Sequence, residues 1–292
     1  MTGSIVERAL KRAVIFDGAM GTMLMASGLA AGEVPERLNV ERPEQVMEIH
    51  RRYYEAGADA VHTNTFGANP IKLADRGYGD QTAHLNREAA RIAREVCPKG
   101  KYVAGDMGPT GKMMAPLGEI TREQMEDAFQ AQAEALLQGG ADFISIETMF
   151  SLEEALAAVT GAQKAGADLI VAATTFQRTP KGFFTMMGET PGQCILAFEQ
   201  AGVDVVATNC TLGSRDMIDL TRELVDSATR PLLVQPNAGK PVTRQGKTRY
   251  EQSPEDFAAD GLAIRRAGAA MLGGCCGTDD RFIRALVQAL SG

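Results

Sequence analysis

The chain has 292 residues, of which 45% are hydrophobic and 23% are charged. This is the composition of an ordinary globular protein, and it excludes the disordered and fibrous classes. The formal net charge is −7 and no basic run is longer than a pair of residues, so the sequence predicts no nucleic-acid partner.

Charged residues precede any sustained apolar stretch at the start of the sequence, which is unlike a signal peptide. No apolar run approaches the roughly 20 residues needed to cross a bilayer. We therefore expect a cytoplasmic protein with no membrane span. The five cysteines are an odd number, which argues against a disulfide framework and favours metal-binding or catalytic thiols.

One phrase recurs along the chain, in which a helical pattern ends, a glycine follows, and an apolar run begins. The glycine suits the left-handed conformation just past a helix end, and the apolar run is typical of a parallel strand buried on both faces. Three further apolar runs, at 14–16, 102–104 and 232–234, bring the predicted strands to eight. The five copies of the phrase are AGADAVHTN from Ala56, GGADFISIET from Gly139, AGADLIVAAT from Ala165, AGVDVVATN from Ala201 and AGAAMLGGC from Ala267.

Helix-start signals lie between these strands. Thr121 and Ser151 each begin a capping-box pattern, and Ser253 is an N-cap followed by proline. Alternating strands and helices fit an open doubly wound sheet or a closed barrel, and a count of eight favours the barrel. No linker or composition shift divides the chain. We predict an α/β protein with one (β/α)8 TIM-barrel domain over residues 1–292.

Such barrels build their sites at the C-terminal ends of the strands. Loops are polar in general, which explains any single polar residue there about as well as function does. The convergence of three of the five cysteines is harder to explain in that way. The polar or metal-binding residues that follow the predicted strands are Asp17, Asn64, Asp106, Glu147, Thr174, Thr175, Asn209, Cys210, Gln235, Asn237, Cys275 and Cys276.

Three cysteines form the candidate metal site. Cys210 leaves the sixth strand, and Cys275 and Cys276 leave the eighth, so the three thiolates can share one ion. Soft sulfur ligands favour zinc, and three ligands without an obvious fourth suggest a catalytic site with an open position. A strained vicinal disulfide and buried, unreactive thiols are the alternatives.

The remaining candidates have weaker patterns. Cys97 and Cys194 are interpreted as bystanders. The histidines at 50, 62 and 84 have no companion at ligand spacing, so packing or surface roles are expected for each.

The motifs DGAMGT, TNTFGAN, VAGDMGPTGK, ISIET, TNC and GGCCGT follow in order along essentially the whole chain. Together they resemble the homocysteine S-methyltransferase family. NTFGAN, and GPTGK followed by APLGE, are most similar to the homocysteine-binding module of the cobalamin-dependent methionine synthases. The motif TNC departs from the usual G-x-N-C of the family, for which only a local packing change is expected.

The resemblance implies a barrel that binds Zn2+ through Cys210, Cys275 and Cys276, with Asn237 able to supply an oxygen when substrate is absent. It implies L-homocysteine as substrate, bound to the metal through its sulfur. Coordination to zinc deprotonates a thiol, and the thiolate then accepts a methyl group.

The resemblance also implies the residues that bind the amino acid. Asp17 and Glu147 match positions near the substrate ammonium, and the backbone amides around Gly18 and Ala19 are expected to bind its carboxylate. Asn209 and Thr63 are second-rank candidates. A structural salt bridge or a helix-capping role is the alternative for the two carboxylates.

The methyl donor is left open. The D-x-H-x-x-G pattern of corrinoid ligation is absent, so methylcobalamin is expected on a partner protein or module. The alternatives are direct use of S-methylmethionine, S-adenosylmethionine or betaine, and a homocysteine- and zinc-binding module without turnover. The connection 107–120 with its methionines, and the basic residues Lys240, Arg244, Lys247 and Arg249, could face a methyl-corrinoid protein, or could be solvated loops.

Overall fold

A computed structural model describes residues 4–30, 32–244 and 247–291. In this part of the chain, eight strands run parallel in one sheet. The eight are β1 Val14–Ile15, β2 Ala60–His62, β3 Tyr102–Met107, β4 Phe143–Met149, β5 Ile170–Thr174, β8 Val205–Gly213, β9 Leu232–Asn237 and β12 Met271–Leu272.

The sheet closes on itself. Its order is β1-β12-β9-β8-β5-β4-β3-β2, and a parallel bridge between Phe16 and Ala60 joins the two end strands. The Asp17 amide donates to the Ala60 carbonyl at 3.1 Å, and the Asp59 amide donates to the Ile15 carbonyl at 2.6 Å. The predicted single-domain (β/α)8 barrel is therefore confirmed.

Within the described residues, eight helices alternate with the barrel strands. They are α4 Pro43–Ala56, α6 Thr82–Val96, α7 Arg122–Gln138, α8 Leu152–Lys164, α9 Pro191–Gln200, α10 Ser214–Val225, α11 Pro254–Arg266 and α12 Asp280–Ser291. Shorter helices precede or interrupt this alternation: α1 Ile5–Ala9, α2 Met20–Ala26, α3 Leu38–Glu41 and α5 Pro70–Ala74. Two hairpins, β6 Gln177–Thr179 with β7 Gly182–Phe184 and β10 Val242–Arg244 with β11 Lys247–Arg249, follow β5 and β9.

The glycine of the repeated phrase ends the helices as predicted. Gly57 has a φ of +108° and Gly268 a φ of +120°, a region that residues with a Cβ rarely adopt. A Cβ at Gly57 would lie 3.0 Å from Val287, and one at Gly268 would lie 2.9 Å from Val225. These two turns therefore need glycine for both conformation and space.

Strand alternation divides most of the buried apolar residues into two cores. One lies between the sheet and the helices, and the other fills the barrel, with Phe16, Ala104, Phe143, Ala173 and Ala207 among its members. Side chains two positions further along a strand point to the same face. Beyond the inner apolar core, these positions are occupied by polar side chains: His62, Asp106, Ser145, Glu147, Thr175, Asn209 and Gln235.

The helix-start predictions are confirmed at two of three positions. Thr121 forms the capping box with Gln124, and the Ser253 hydroxyl accepts from the Asp256 amide. The capping box at Ser151 is wrong, because its side chain makes no cap hydrogen bond. Its expected partner Glu154 is buried and accepts instead from the amide and hydroxyl of Thr110, both at 2.7 Å.

Among the helices that the structure describes, none is long and apolar enough to cross a membrane.

Candidate metal and substrate-binding site

The three predicted cysteines meet at the C-terminal end of the barrel. The sulfur atoms of Cys210, Cys275 and Cys276 all lie within 4.8 Å of one another, and those of Cys210 and Cys276 are 3.8 Å apart. Cys97 and Cys194 are not part of this group. Among the described residues, this is the one cluster of three or more potential metal ligands.

A break in β8 turns Cys210 toward the other two cysteines. The register with β9 shifts between Asn209 and Gly213, and Cys210 and Thr211 have φ values of 58° and 61°. Non-glycine residues in this region carry backbone strain, of order 1–3 kcal/mol each, and such residues concentrate at functional sites. The strain at Cys210 therefore indicates a position maintained for function.

Backbone hydrogen bonds to the neighbouring strand hold Cys275 and Cys276. The Cys275 amide donates to the Pro236 carbonyl at 2.8 Å, and the Ala238 amide donates to the Cys276 carbonyl at 3.0 Å. Asn237 thus lies between two residues that are bonded to the cysteine pair. Its Oδ1 is buried and has no hydrogen-bond partner.

The three thiols of the cluster differ in pKa. The hydrogen bonds from Cys210 and Cys275 lower the pKa of Cys276 to about 3. The interaction with Cys210 raises the pKa of Cys275, with Cys276 and burial adding to the effect. The phenol of Tyr250, which follows the hairpin β10–β11, also lowers the pKa of Cys276. The negative charge in the cluster is therefore more favourable on Cys276 than on Cys210 or Cys275.

The donor set fits zinc. Sulfur ligands about 2.3 Å from a tetrahedral zinc ion stand about 3.8 Å apart, which matches the separation of Cys210 and Cys276. The unpartnered Oδ1 of Asn237 is a fourth potential donor, because the neighbouring residues Pro236 and Ala238 are hydrogen-bonded to the cysteine pair. Three thiolates and an oxygen are all ligands that zinc accepts in proteins.

A polar layer lies beside the cysteines, and Asp17 is part of it. Its carboxylate accepts from His62 Nδ1 at 2.7 Å and from the His62 amide at 2.9 Å, while His62 Nε2 lies 3.1 Å from the Ser145 hydroxyl. Burial lowers the pKa of His62, but the Asp17 carboxylate outweighs burial, so the net pKa is raised. His62 is a site residue that the sequence interpretation had assigned to packing or the surface.

The side chains of Glu147 and Asn209 are hydrogen-bonded to each other within this layer. Asn209 Nδ2 donates to Glu147 Oε2 and to the Thr148 hydroxyl, both at 2.8 Å, and its Oδ1 accepts from the Thr148 amide at 2.8 Å. Asn209 Nδ2 is also 3.9 Å from Cys275 Sγ. Asn209 therefore links the predicted ammonium-binding carboxylate to the cysteine cluster.

The backbone amides predicted to bind the substrate carboxylate lie in the same region, and that of Ala19 already has a hydrogen-bond partner. The Ala19 amide donates to the Thr278 hydroxyl at 3.2 Å, and a Cβ at Gly18 would lie 2.6 Å from the same hydroxyl. The hydroxyl of Thr63 accepts from the Asp106 amide at 2.9 Å and lies 2.6 Å from that of Thr65. Thr63 thus fixes the end of β3.

The sequence interpretation assigned His62 to packing or the surface, and it gave no substrate or metal role to Asp106, Tyr250 or Thr278. Strand alternation was the available signal for His62, which is two residues beyond the inward-facing Ala60. Tyr250 and Thr278 lie outside strands and carried no such signal.

The family model described as homocysteine S-methyltransferase matches residues 14–290. The chain is 36% identical to a methionine synthase of Mycobacterium tuberculosis and 34% identical to one of Mycobacterium leprae, over 96% and 98% of its length. It spans 25% of the length of each of these relatives.

Solved structures show the same barrel. The metallated crystal structure of the homocysteine methyltransferase MmuM from Escherichia coli shares 25% identity, with a TM-score of 0.79 over 96% of this chain and 98% of that one. The carboxyl transferase domain of Rhizobium etli pyruvate carboxylase, at 15% identity and a TM-score of 0.58, covers 97% of this chain and 44% of that one and shares the fold alone.

Proposed function

The chain belongs to the homocysteine S-methyltransferase family, and we propose that it is a zinc-dependent enzyme that methylates the thiol of L-homocysteine to give methionine. The observation that carries this proposal is the group of three thiols within 4.8 Å of one another. Cys210, Cys275 and Cys276 would hold the ion, and Asn237 would complete its ligands when substrate is absent.

Zinc, when bound, lowers the pKa of a coordinated thiol, so that homocysteine is held as its thiolate at neutral pH. The task of the protein is to position that thiolate. Glu147 and Asp17 are the carboxylates available to the substrate ammonium. Amides near Gly18 are the proposed donors to the substrate carboxylate, and Asn209 holds Glu147 in place at 2.8 Å.

In the proposed reaction, the thiol proton leaves to solvent and the thiolate sulfur forms a bond to the methyl carbon. The bond between the methyl group and its carrier breaks, and its electron pair stays with the carrier. A cob(I)alamin or a neutral sulfide or amine is a stable leaving group in this form. No general acid is required, which agrees with a site built from thiols, carboxylates and amides.

We propose a methyl-corrinoid on a separate protein or module as the donor. The relatives are about four times as long as this chain, so they contain protein that this barrel does not. The mouth of the barrel also exposes apolar side chains, Met113 and Leu117 after β3 and Met186 after β5 among them. Such a surface is typical of a protein contact. The side chains of Arg244 and Lys247, which the sequence also suggested for docking, lie outside the described residues.

The test uses purified protein with measured zinc content. Homocysteine methylation is assayed in parallel with methylcobalamin, S-methylmethionine, S-adenosylmethionine and betaine. Turnover with methylcobalamin alone supports the proposal. Turnover with one of the small donors instead would replace the donor assignment, and binding of homocysteine without turnover by any donor would leave a binding module.

A separate variant tests whether the three cysteines are the zinc ligands. Cys276→Ala removes one of three sulfur ligands and is expected to abolish both stoichiometric zinc and methyl transfer. Cys194→Ala is the matched control, because this cysteine is buried outside the cluster. Stoichiometric zinc in Cys276→Ala would show that the ion binds elsewhere.

A further inference from the structure

Three carboxyl groups converge in the polar layer, and the reaction proposed above uses two of them. Asp17 pairs with His62, and Glu147 accepts from Asn209. The third, Asp106, follows the same inward alternation on β3 and is 3% exposed. Its Oδ1 is buried without a hydrogen-bond partner.

We propose that Asp106 is a neutral carboxylic acid at neutral pH and holds the Glu147 carboxylate by donating a hydrogen bond to it. This makes Asp106 a positioning residue for the group that receives the substrate ammonium. The inference rests on the proposed function for the identity of the substrate, but the protonation state of Asp106 does not depend on it.

The hydrogen bond itself requires a proton. Asp106 and Glu147 both point into the barrel from neighbouring strands, because Asp106 is in register with Ser145, two residues before Glu147, and the two carboxyl groups act on each other's pKa. Two ionised carboxylates have acceptors only, so one member of the pair must carry a proton. A second negative charge beside Glu147 is disfavoured on Asp106, which is buried and whose Oδ1 has no hydrogen-bond partner.

The surroundings place that proton on Asp106. Glu147 has a donor in Asn209 Nδ2 at 2.8 Å, and the nearby imidazole of His62 favours its charged form. Among the described residues, no cationic side chain and no N–H group donates to the Asp106 carboxyl. A negative charge is therefore less favourable on Asp106 than on Glu147.

The charged groups around Asp106 act in the same direction. Burial raises its pKa well above the usual value, and the charges of Glu147, Asp17 and Glu36 raise it further. Burial also raises the pKa of Glu147, but His62 opposes this while Asp17 and Cys276 add to it.

The first test measures binding by calorimetry to the zinc-loaded protein. The probes are L-homocysteine and 4-mercaptobutanoate, which keeps the thiol and carboxylate but lacks the amino group. Asp106→Ala is expected to weaken homocysteine binding about tenfold or more, as loss of a hydrogen bond to a charged group does. Asp106→Asn keeps a donor toward Glu147, so it should restore affinity to within about threefold of the wild type.

Glu147→Gln is the comparison that separates the two carboxyls. It removes a charge, so homocysteine binding should weaken, while 4-mercaptobutanoate should bind equally well to all four proteins. If homocysteine affinity falls as much in Asp106→Asn as in Glu147→Gln, Asp106 is ionised and the proposal is overturned. Unchanged affinity in Asp106→Ala would show that Asp106 does not position Glu147.

The second test needs neither zinc nor substrate. A protonated carboxylic acid has a carbonyl stretching band in the infrared that a carboxylate lacks, and the band shifts in heavy water. The difference spectrum between wild type and Asp106→Asn at neutral pH should contain this band. Its absence there, or its disappearance in Glu147→Gln instead, overturns the assignment even if the protein does not methylate homocysteine.

Discussion

Buried polar atoms without a partner are rare in folded proteins, and those near the barrel mouth are therefore informative. The ring nitrogens of His50, the hydroxyl of Tyr53, Oδ1 of Asp106 and Oδ1 of Asn237 are all of this kind. Asn237 and Asp106 have roles in the proposed site. His50 and Tyr53 lie one turn apart on α4, behind the pair of Asp17 and His62.

The buried His50 is expected to lower the free energy of unfolding at acid pH. Burial lowers its pKa from 6.5 to about 3, with a smaller contribution from His62. Between these values the unfolded chain binds a proton that the folded protein does not, so this histidine reduces stability as the pH falls from about 6.5 toward 3. His50→Gln should therefore flatten the pH dependence of the unfolding free energy, by up to about 1.4 kcal/mol per pH unit.

Urea unfolding of the metal-free protein at several pH values between about 4 and 7 measures this effect. Most of this window lies between the pKa values of His50 in the unfolded and folded states. His84→Gln is the control, because His84 lies on the exposed face of α6. Parallel stability curves for wild type and His50→Gln across the window would contradict the prediction.

At the scale of elements, the irregular parts of two strands carry the site. The register of β4 with β5 shifts between Ile146 and Met149, and that of β8 with β9 shifts between Asn209 and Gly213. Thr148 has a φ of 60°, close to the values at Cys210 and Thr211. A regular strand directs alternate side chains to opposite faces, so a local break is needed to bring consecutive residues to one ligand.

The loop after β12 depends on glycine in a comparable way. Gly277 has a φ of +85°, and a Cβ there would overlap the ring of Tyr250, whose phenol lowers the pKa of Cys276. Gly277→Ala should destabilise the fold by about 1–3 kcal/mol and also weaken zinc binding, because the loop and Tyr250 must move.

Gly166→Ala is a matched control for this change. Gly166 has a φ of +83° and open space where a Cβ would stand, so it isolates the cost of the backbone. Thermal unfolding and competitive zinc titration of both variants measure the two effects. Equal zinc affinity in Gly277→Ala and wild type would show that Tyr250 does not support the site.

At the scale of the whole molecule, exposed apolar residues are concentrated at one end. Of the nine large hydrophobic residues exposed in the described chain, seven lie in segments that follow a barrel strand and precede the next barrel helix. They are Met25, Val40, Met113, Leu117, Phe150, Met186 and Met187. This is the end at which the cysteines lie.

If this end receives a methyl-corrinoid protein, a charge placed there should weaken the encounter. Leu117→Asp should raise the KM for the carrier protein about tenfold, as loss of a buried apolar contact does, and leave methylation by free methylcobalamin unchanged. Leu196→Asp is the control, since Leu196 on α9 is 58% exposed against 67% for Leu117. Equal carrier dependence in the two variants would exclude Leu117 from the contact.

The sequence alone determined the barrel and the cluster of three cysteines. The strands are read from apolar runs after glycine, and Cys210, Cys275 and Cys276 follow strands whose ends must share one rim in a closed barrel. These are local patterns with a fixed topological meaning. The resemblance to a family then supplied Asp17, Glu147 and Asn237, which the structure brings to the same end of the barrel.

Only the tertiary structure decided which side chains contact one another. Glu154, expected to cap α8, binds Thr110 from another loop, because a buried carboxylate is stabilised by donors wherever they lie in space. His62 meets Asp17, and Asp106 meets Glu147, across neighbouring strands that are about 40 or more residues apart in the chain. Hydrogen bonding and protonation depend on distances between such residues, and no local pattern of residues contains those distances.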